Sequence, residues 1–331
     1  MPAVDPFTDE QGRALVNLEQ RYQVWMEAER ALRALPYDLR RKEVGGRFYL
    51  YEILDRSGNG KSLGPWSPDM ATRHSAYRDE KARLKDRDRT SRATLDESGR
   101  LGRALRLPAI AEEAGAILRE ADRRGLLDGD TLVIGTSALP AYAVEAGGFI
   151  RGAPDETQDL DMAWASQEPD AETPRLWPML KAVDPTFTVN MERGFQARTA
   201  KAFEVEVVVA PSRAATLPRL DQPHPIALPE QEWLLCGRPV DHIVITRSGA
   251  PARIVAPDPR WFALQKLWLS RQPKRSPLKR PKDRKQGLAL LDAVAEAMPQ
   301  YPLDEAFETA LPDPLIEPYR SWRSGRNGAE R

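Results

Sequence analysis

Apolar residues in the first part of the chain recur at helical spacing. Over residues 11–34, Leu15, Leu18, Tyr22, Trp25, Met26 and Leu32 form one stripe, interrupted by Glu29, which predicts an amphipathic helix. FYLYEIL (48–54) reads as a short strand or helix edge, and RSGNGKSLGPWSPD (56–69) is rich in turn formers. Residues 72–105 are heavily charged and predict a solvent-facing helix with a hinge near Gly99. From Pro108 the period changes repeatedly. PAIAEEAGAILREADRRGLL predicts a helix with Ile110, Ala114, Ile117 and Leu118 on one face, ended by Gly125 and Asp128-Gly129. A strand at 131–135, a helix at 138–147 with Pro140 in its first turn, and a strand at 159–164 are expected next. LWPMLKAV predicts a short helix and TFTVN a strand.

Residues 202–211, AFEVEVVVAP, alternate with period two. Phe203, Val205, Val207 and Val209 point one way, and Glu204, Glu206 and Val208 the other. HIVIT and ARIVA are two further strands joined by the turn RSGAP. Asp258 caps and Pro259 opens a helix whose Trp261, Leu264, Leu267 and Trp268 form a core stripe. DRKQGLALLDAVAEAM predicts another helix, with Leu288, Leu291 and Val294 inward, and beyond Pro312 a Pro-, Arg- and Gly-rich tail is expected to be loosely ordered. The sum is an α/β (α+β) chain in four parts: a mostly helical region 1–106, a core 107–256, a helical segment 257–312 and a tail 313–331. No internal repeat is visible.

The 331 residues are enough for two domains, or for one core with helical elaborations. A single cysteine, Cys236, excludes an internal disulfide and fits a reducing setting. The N-terminus lacks the apolar core of a signal peptide, and no run approaches the roughly 20 apolar residues of a membrane helix, so a cytoplasmic protein without membrane contact is expected. Basic and acidic residues balance at 49 each, so no global field steers the chain to nucleic acid. The run RQPKRSPLKRPKDRK (271–285) departs from that balance. It reads either as a solvated face or loop, or as a phosphate-binding patch for a nucleotide tail or an RNA backbone.

Asp159 and Asp161, two apart on a strand, share a face about 7 Å apart. Such a pair repels unless something positive lies between, and hard divalent cations take oxygen ligands. The turn Gly135-Thr136-Ser137 follows a strand and opens a helix. Together these features suggest nucleotide phosphates plus metal, that is, phosphoryl or nucleotidyl transfer. A third carboxylate is sought on a later strand. Glu206, flanked by Val205 and Val207, is costly to bury unless ion-paired or metal-bound. The alternative makes Asp159 a loop cap and places the glutamates on a solvated sheet face. GNGKS lacks the first glycine of a P-loop at its required spacing. Ser137 as a hydrolase nucleophile lacks the second glycine of that elbow, where Leu139 stands. DETQDLD as a calcium loop lacks the central glycine and has Ser166 at position twelve.

Residues 135–164 resemble the polymerase-β-type nucleotidyltransferase superfamily, with its Gly-Ser-type turn and Dh[DE] strand. More narrowly, GTSALPAYAVE, TQDLD, FEVEVVV, PDPRWFALQKLWLSRQ, PKDRKQ and KSLGPWSPD are similar to segments of a bacterial nucleotidyltransferase-like family, over roughly residues 45–300. The resemblance implies a mixed-sheet transferase core. Gly135, Thr136 and Ser137 would hold an NTP, and Asp159, Asp161 and Glu206 would bind Mg²⁺ or Mn²⁺ and act in catalysis. Glu206 stands where the superfamily usually has Asp, and Ser137 where the narrower family has Asn. Lys266 matches a phosphate-gripping lysine of toxin relatives, its other reading being a surface lysine, and Asp283 matches the acidic residue after the basic loop. The resemblance further implies transfer of a nucleoside monophosphate to a hydroxyl, with RNA or a tRNA end, a protein hydroxyl or a small molecule as the open acceptor classes and any partner protein unknown. The competing reading is a catalytically inactive, antitoxin-like nucleotide- or RNA-binding module on the same fold.

Overall fold

The computed structural model describes residues 1–154, 157, 159–168 and 173–329. At its centre, strand Thr131–Ile134 is buried at every position and runs antiparallel to Asp159–Trp164, which pairs in parallel with Glu204–Val209. Gln196–Arg198 and then Thr188–Val189 extend the sheet antiparallel, and Ile226–Ala227 adds a short parallel strand beside Val208 and Val209. Toward their C-terminal ends the two middle strands pack apolar side chains on both faces, where Met162, Ala163, Trp164, Val207, Val208 and Val209 are all buried. This explains their nearly continuous apolar character. Polar residues concentrate at the other end, at Asp159, Asp161, Glu204 and Glu206.

A second sheet holds the hairpin Val240–Thr246 and Pro251–Ala256, with Ala109–Ile110 on its edge. Helix Glu112–Arg123 packs on strand Pro251–Ala256 and on helix Leu176–Val183. The start of the latter is capped from a distance. The buried Asp221 carboxylate accepts the backbone N–H groups of Arg175, Leu176 and Trp177 at 2.7, 2.8 and 2.9 Å, satisfying donors that a helix start otherwise leaves open. Helices Pro259–Ser270 and Lys279–Ala297 lie against each other. Asp258 caps the first by accepting from the Arg260 amide at 3.0 Å.

The chain divides into two compact units, Met1–Val16 with Gly99–Arg331, and Asn17–Ser98. The Asn17–Ser98 unit contains the antiparallel sheet Asp38–Val44, Arg47–Ile53, Gly60–Pro65, with Leu39, Leu50 and Tyr77 in a small core. Besides helices Asp9–Ala34 and Pro68–Ala104, the first 106 residues thus carry a sheet, and GNGKS leads into one of its strands rather than into a phosphate-binding turn and helix.

Three further expectations are corrected. Residues on both sides of Gly99 belong to one continuous helix, Pro68–Ala104. A Cβ there would meet the Gly249 carbonyl oxygen at 2.0 Å, so this glycine serves close packing. The tail forms helix Asp313–Ala329, because Leu315, Tyr319 and Trp322 bury at helical spacing, and this packing outweighs the cost of Pro318 inside the helix. The basic run is not one loop, since from Lys279 onward it is helix. Asp155, Glu156 and Gln158, on which the calcium-loop reading depends, lie outside the described residues.

Candidate active site

Sheet register brings the predicted carboxylates into one group. Asp159 stands opposite Glu204 and Asp161 opposite Glu206 on adjacent parallel strands, while Ile134, the residue before the turn, stands opposite Asp161 on the other side. The turn Gly135–Ala138 is a single 3-10 turn entered with Gly135 at φ +68°. That left-handed conformation is ordinary for glycine and strained for other residues. It lets the backbone close onto the Asp161 carboxyl.

Ser137 and Thr136 are both buried. The Ser137 hydroxyl donates to the backbone carbonyl of Asp159 at 3.2 Å, tying the turn to the carboxylate strand. A serine so engaged is a structural link, which disposes of the nucleophile-elbow reading. The Thr157 hydroxyl donates to the Asp159 carboxylate.

Burial raises the Asp161 carboxyl to about 7, and the neighbouring charges of Asp159 and Glu206 push the same way. Lys266 and Lys279 act against them. The residue retains some surface toward solvent, so the cause is a carboxyl set deep among protein atoms without being sealed off. Glu206 is held by Gln196, whose Nε2 donates to Glu206 Oε1 at 3.0 Å and to Glu204 Oε2 at 2.9 Å. Asn190 fixes that amide by donating to its oxygen at 2.6 Å. Glu204 also pairs with Arg198 at 2.6 Å.

Lys266 is not a surface lysine. It is buried on helix Pro259–Ser270, donates to Asp283 Oδ1 at 3.2 Å, and has its pKa lowered by burial, against the pull of Asp283 and Asp161. Asp283 is itself buried, and both its oxygens are taken, by Lys266 and by Arg275 at 2.7 and 3.2 Å. A nucleotide contact was expected of Asp283. Its geometry is that of a counter-ion holding two cations.

Sequence reading missed Gln286, which is fully buried and donates from Nε2 to Thr136 Oγ1 at 3.2 Å and to the Pro154 carbonyl at 2.6 Å. It also missed Lys279, whose charge is felt at Asp161 across the site. The one available signal for Gln286 was its place on the inward stripe of its helix, three residues after Asp283.

The donors near Asp161 are all carboxylate oxygens, the kind a hard divalent cation takes. Among the described residues, no group of three or more His, Cys, Asp or Glu side chains is arranged to hold a metal unaided. No curated protein and no solved structure matched the chain. A nucleotidyltransferase family model matches residues 112–312, more than half of the chain, which takes in the turn, the paired-carboxylate strands and both helices that carry Lys266, Asp283 and Gln286. The chain belongs to this nucleotidyltransferase family.

Proposed function

We propose that the protein moves a nucleoside monophosphate from an NTP to a hydroxyl acceptor, with release of pyrophosphate, and that Asp159, Asp161 and Glu206 are its catalytic carboxylates. The observation that carries this reading is the register of Asp161, which lies directly opposite Glu206 and against the positive-φ turn at Gly135. The amides of Gly135, Thr136 and Ser137 and the Thr136 hydroxyl would cradle phosphates at the turn. Lys266 and Lys279 supply positive charge toward the same carboxylates and, with substrate bound, toward its phosphates. In the transfer step the acceptor oxygen bonds to the α-phosphorus in line as the bond to the pyrophosphate oxygen breaks, and the hydroxyl proton passes to the carboxylate group.

Nucleotidyltransferases of this family generally use divalent metals. Asp159, Asp161 and Glu206 fit one in kind, since mutual repulsion and burial already hold Asp161 partly protonated near neutral pH. The missing closed cage fits Mg²⁺, which is usually held by one or two carboxylates together with substrate phosphates. When bound, such an ion neutralises phosphate charge and makes the attacking hydroxyl more acidic. RNA or a tRNA end is the proposed acceptor, supported by the basic residues from Arg271 onward and by the position of Lys279 near the carboxylates.

A second reading, a nucleotide- or RNA-binding module without turnover, draws on the absence of a three-carboxylate metal group among the described residues and on the Gln196 clamp over Glu206. Incubation with each α-labelled NTP, Mg²⁺ or Mn²⁺, and total cellular RNA and protein separates the two. Label on a macromolecule that disappears with Asp161→Ala supports transfer. Tight nucleotide or RNA binding without label under any condition favours the binding module.

A further inference from the structure

The unit Asn17–Ser98 lies wholly outside the segment matched by the family model, and it holds an open cleft of about 1270 Å³. Three elements line it: the end of helix Asp9–Ala34, strand Asp38–Val44, and one face of helix Pro68–Ala104. Their side chains include Arg33, Arg40, Arg41, Arg78, Lys81 and Lys85 against one carboxylate, Asp38, which Arg40 already engages at 2.7 Å. The whole chain has no net charge, so this concentration of positive charge is local.

It is also only partly neutralised. Arg78, Lys81 and Lys85 fall at spacings of three and four, on one helix face. Arg78 and Lys85 are exposed and form no ion pair among the described residues. Charges of one sign on one helix face repel one another, so the charges of Arg78 and Lys85 do not stabilise the fold.

Two features suit a nucleic acid strand better than a lone phosphate. The cations are spread over both walls of a cleft many times the volume of one phosphate, whereas a single phosphate is met by a compact set of donors. Aromatic surface is interleaved with them. Tyr37, 49% exposed, lines the cleft, with Lys81 donating to its backbone carbonyl and lying 5.8 Å from its ring, and Tyr77 also lines it, its hydroxyl accepting from Lys81 at 2.6 Å. Alternating cationic and aromatic groups are what a strand with phosphates and stackable bases requires.

We propose that this cleft binds the sugar–phosphate backbone of single-stranded nucleic acid, independently of the carboxylate site. The test uses the full chain without NTP, following the anisotropy of fluorescein-labelled single-stranded RNA and DNA of roughly 20 nucleotides. Salt is varied between about 50 and 200 mM. Arg78→Glu/Lys85→Glu should weaken binding roughly tenfold or more, and the milder Arg78→Ala/Lys85→Ala should lower the slope of log K against log salt by about 0.7 for each phosphate no longer neutralised. Arg47→Glu, at the far hairpin, should change nothing. These side chains are exposed, so circular dichroism melts should match wild type.

Three outcomes overturn the proposal: wild-type binding by Arg78→Glu/Lys85→Glu, loss of binding confined to Lys274→Glu/Lys279→Glu in the other basic segment, or displacement of the RNA by polyglutamate as readily as by polyuridylate. The last would mark an acidic protein as the partner.

Discussion

A Cβ on Gly135 would sit 2.0 Å from Oδ2 of Asp161, so the turn that closes onto the carboxylate strand admits no side chain. The same residue has φ +68°. Two independent constraints, conformation and contact, therefore fall on one glycine, and both point at the atom around which transfer is proposed.

Gly135→Ala is expected to reduce nucleotidyl transfer by an order of magnitude or more while the protein still folds. The left-handed conformation alone costs about 1–2 kcal/mol for an L-residue, and relief of the clash must shift the turn or rotate Asp161. Label transfer and a thermal melt measured on the same preparation test this. Full activity in the variant would remove the turn from the reaction site.

Asp161 gives a pH prediction of definite sign. Its folded-state pKa, about 7, lies above the ordinary carboxylate value of 3.8. The folded protein thus binds the extra proton, and the stability this contributes is complete below the unfolded pKa and is lost as pH rises through about 7. The loss is on the order of a few kcal/mol. In EDTA, wild type should lose stability between those limits by more than Asp161→Asn does, so the variant becomes the more stable above neutrality. Urea melts across that range measure the difference, and parallel curves would contradict the buried, repelled carboxyl. Addition of Mg²⁺ should raise the wild-type melting temperature and leave that of Asp161→Asn unchanged.

Gln286 joins the turn to the chain at Pro154 through two hydrogen bonds from one amide. Gln286→Ala leaves the part-buried Pro154 carbonyl and the buried Thr136 hydroxyl without that donor, at a cost of about 1–3 kcal/mol. Because the turn is the proposed phosphate cradle, KM for the NTP should rise more than kcat falls. Steady-state kinetics distinguish this from a purely structural role, which would lower the melting temperature and leave KM untouched in the fraction that remains folded.

The central strands were legible because period-two alternation and short apolar runs report sheet faces directly. Asp159, Asp161 and Glu206 were placed by that rule, and Asp258-Pro259 by local capping chemistry. What escaped was set by contacts between distant segments. Gln286 meets Thr136 across 150 positions, and Asp221 caps a helix 44 to 46 residues earlier. The burial of Lys266 depends on a counter-ion from the next helix. The tail illustrates a different failure, in which composition rich in Pro, Arg and Gly outweighed a legible stripe of Leu315, Tyr319 and Trp322. At Gly99, the absent side chain answers a neighbour from another strand pair, which helix propensity cannot report.

The Lys266–Asp283 pair separates support from chemistry. Asp283→Asn leaves two cations, Lys266 and Arg275, without their shared carboxylate, and Lys266 has no exit to solvent. Loss of one partner of such a buried pair costs about 3–5 kcal/mol. Lys266→Met should be milder for stability, since Asp283 keeps Arg275 at 2.7 Å and the methionine occupies similar space. Its electrostatic effect is the larger one. Lys266 lowers the pKa of Asp161, so its removal should carry that pKa further above 7 and move the acidic limb of the pH–rate profile to higher pH. The two variants should therefore divide cleanly, one losing mainly melting temperature and the other mainly activity near neutrality. A Lys266→Met profile with its acidic limb unmoved would mean that the lysine serves the fold through Asp283 alone.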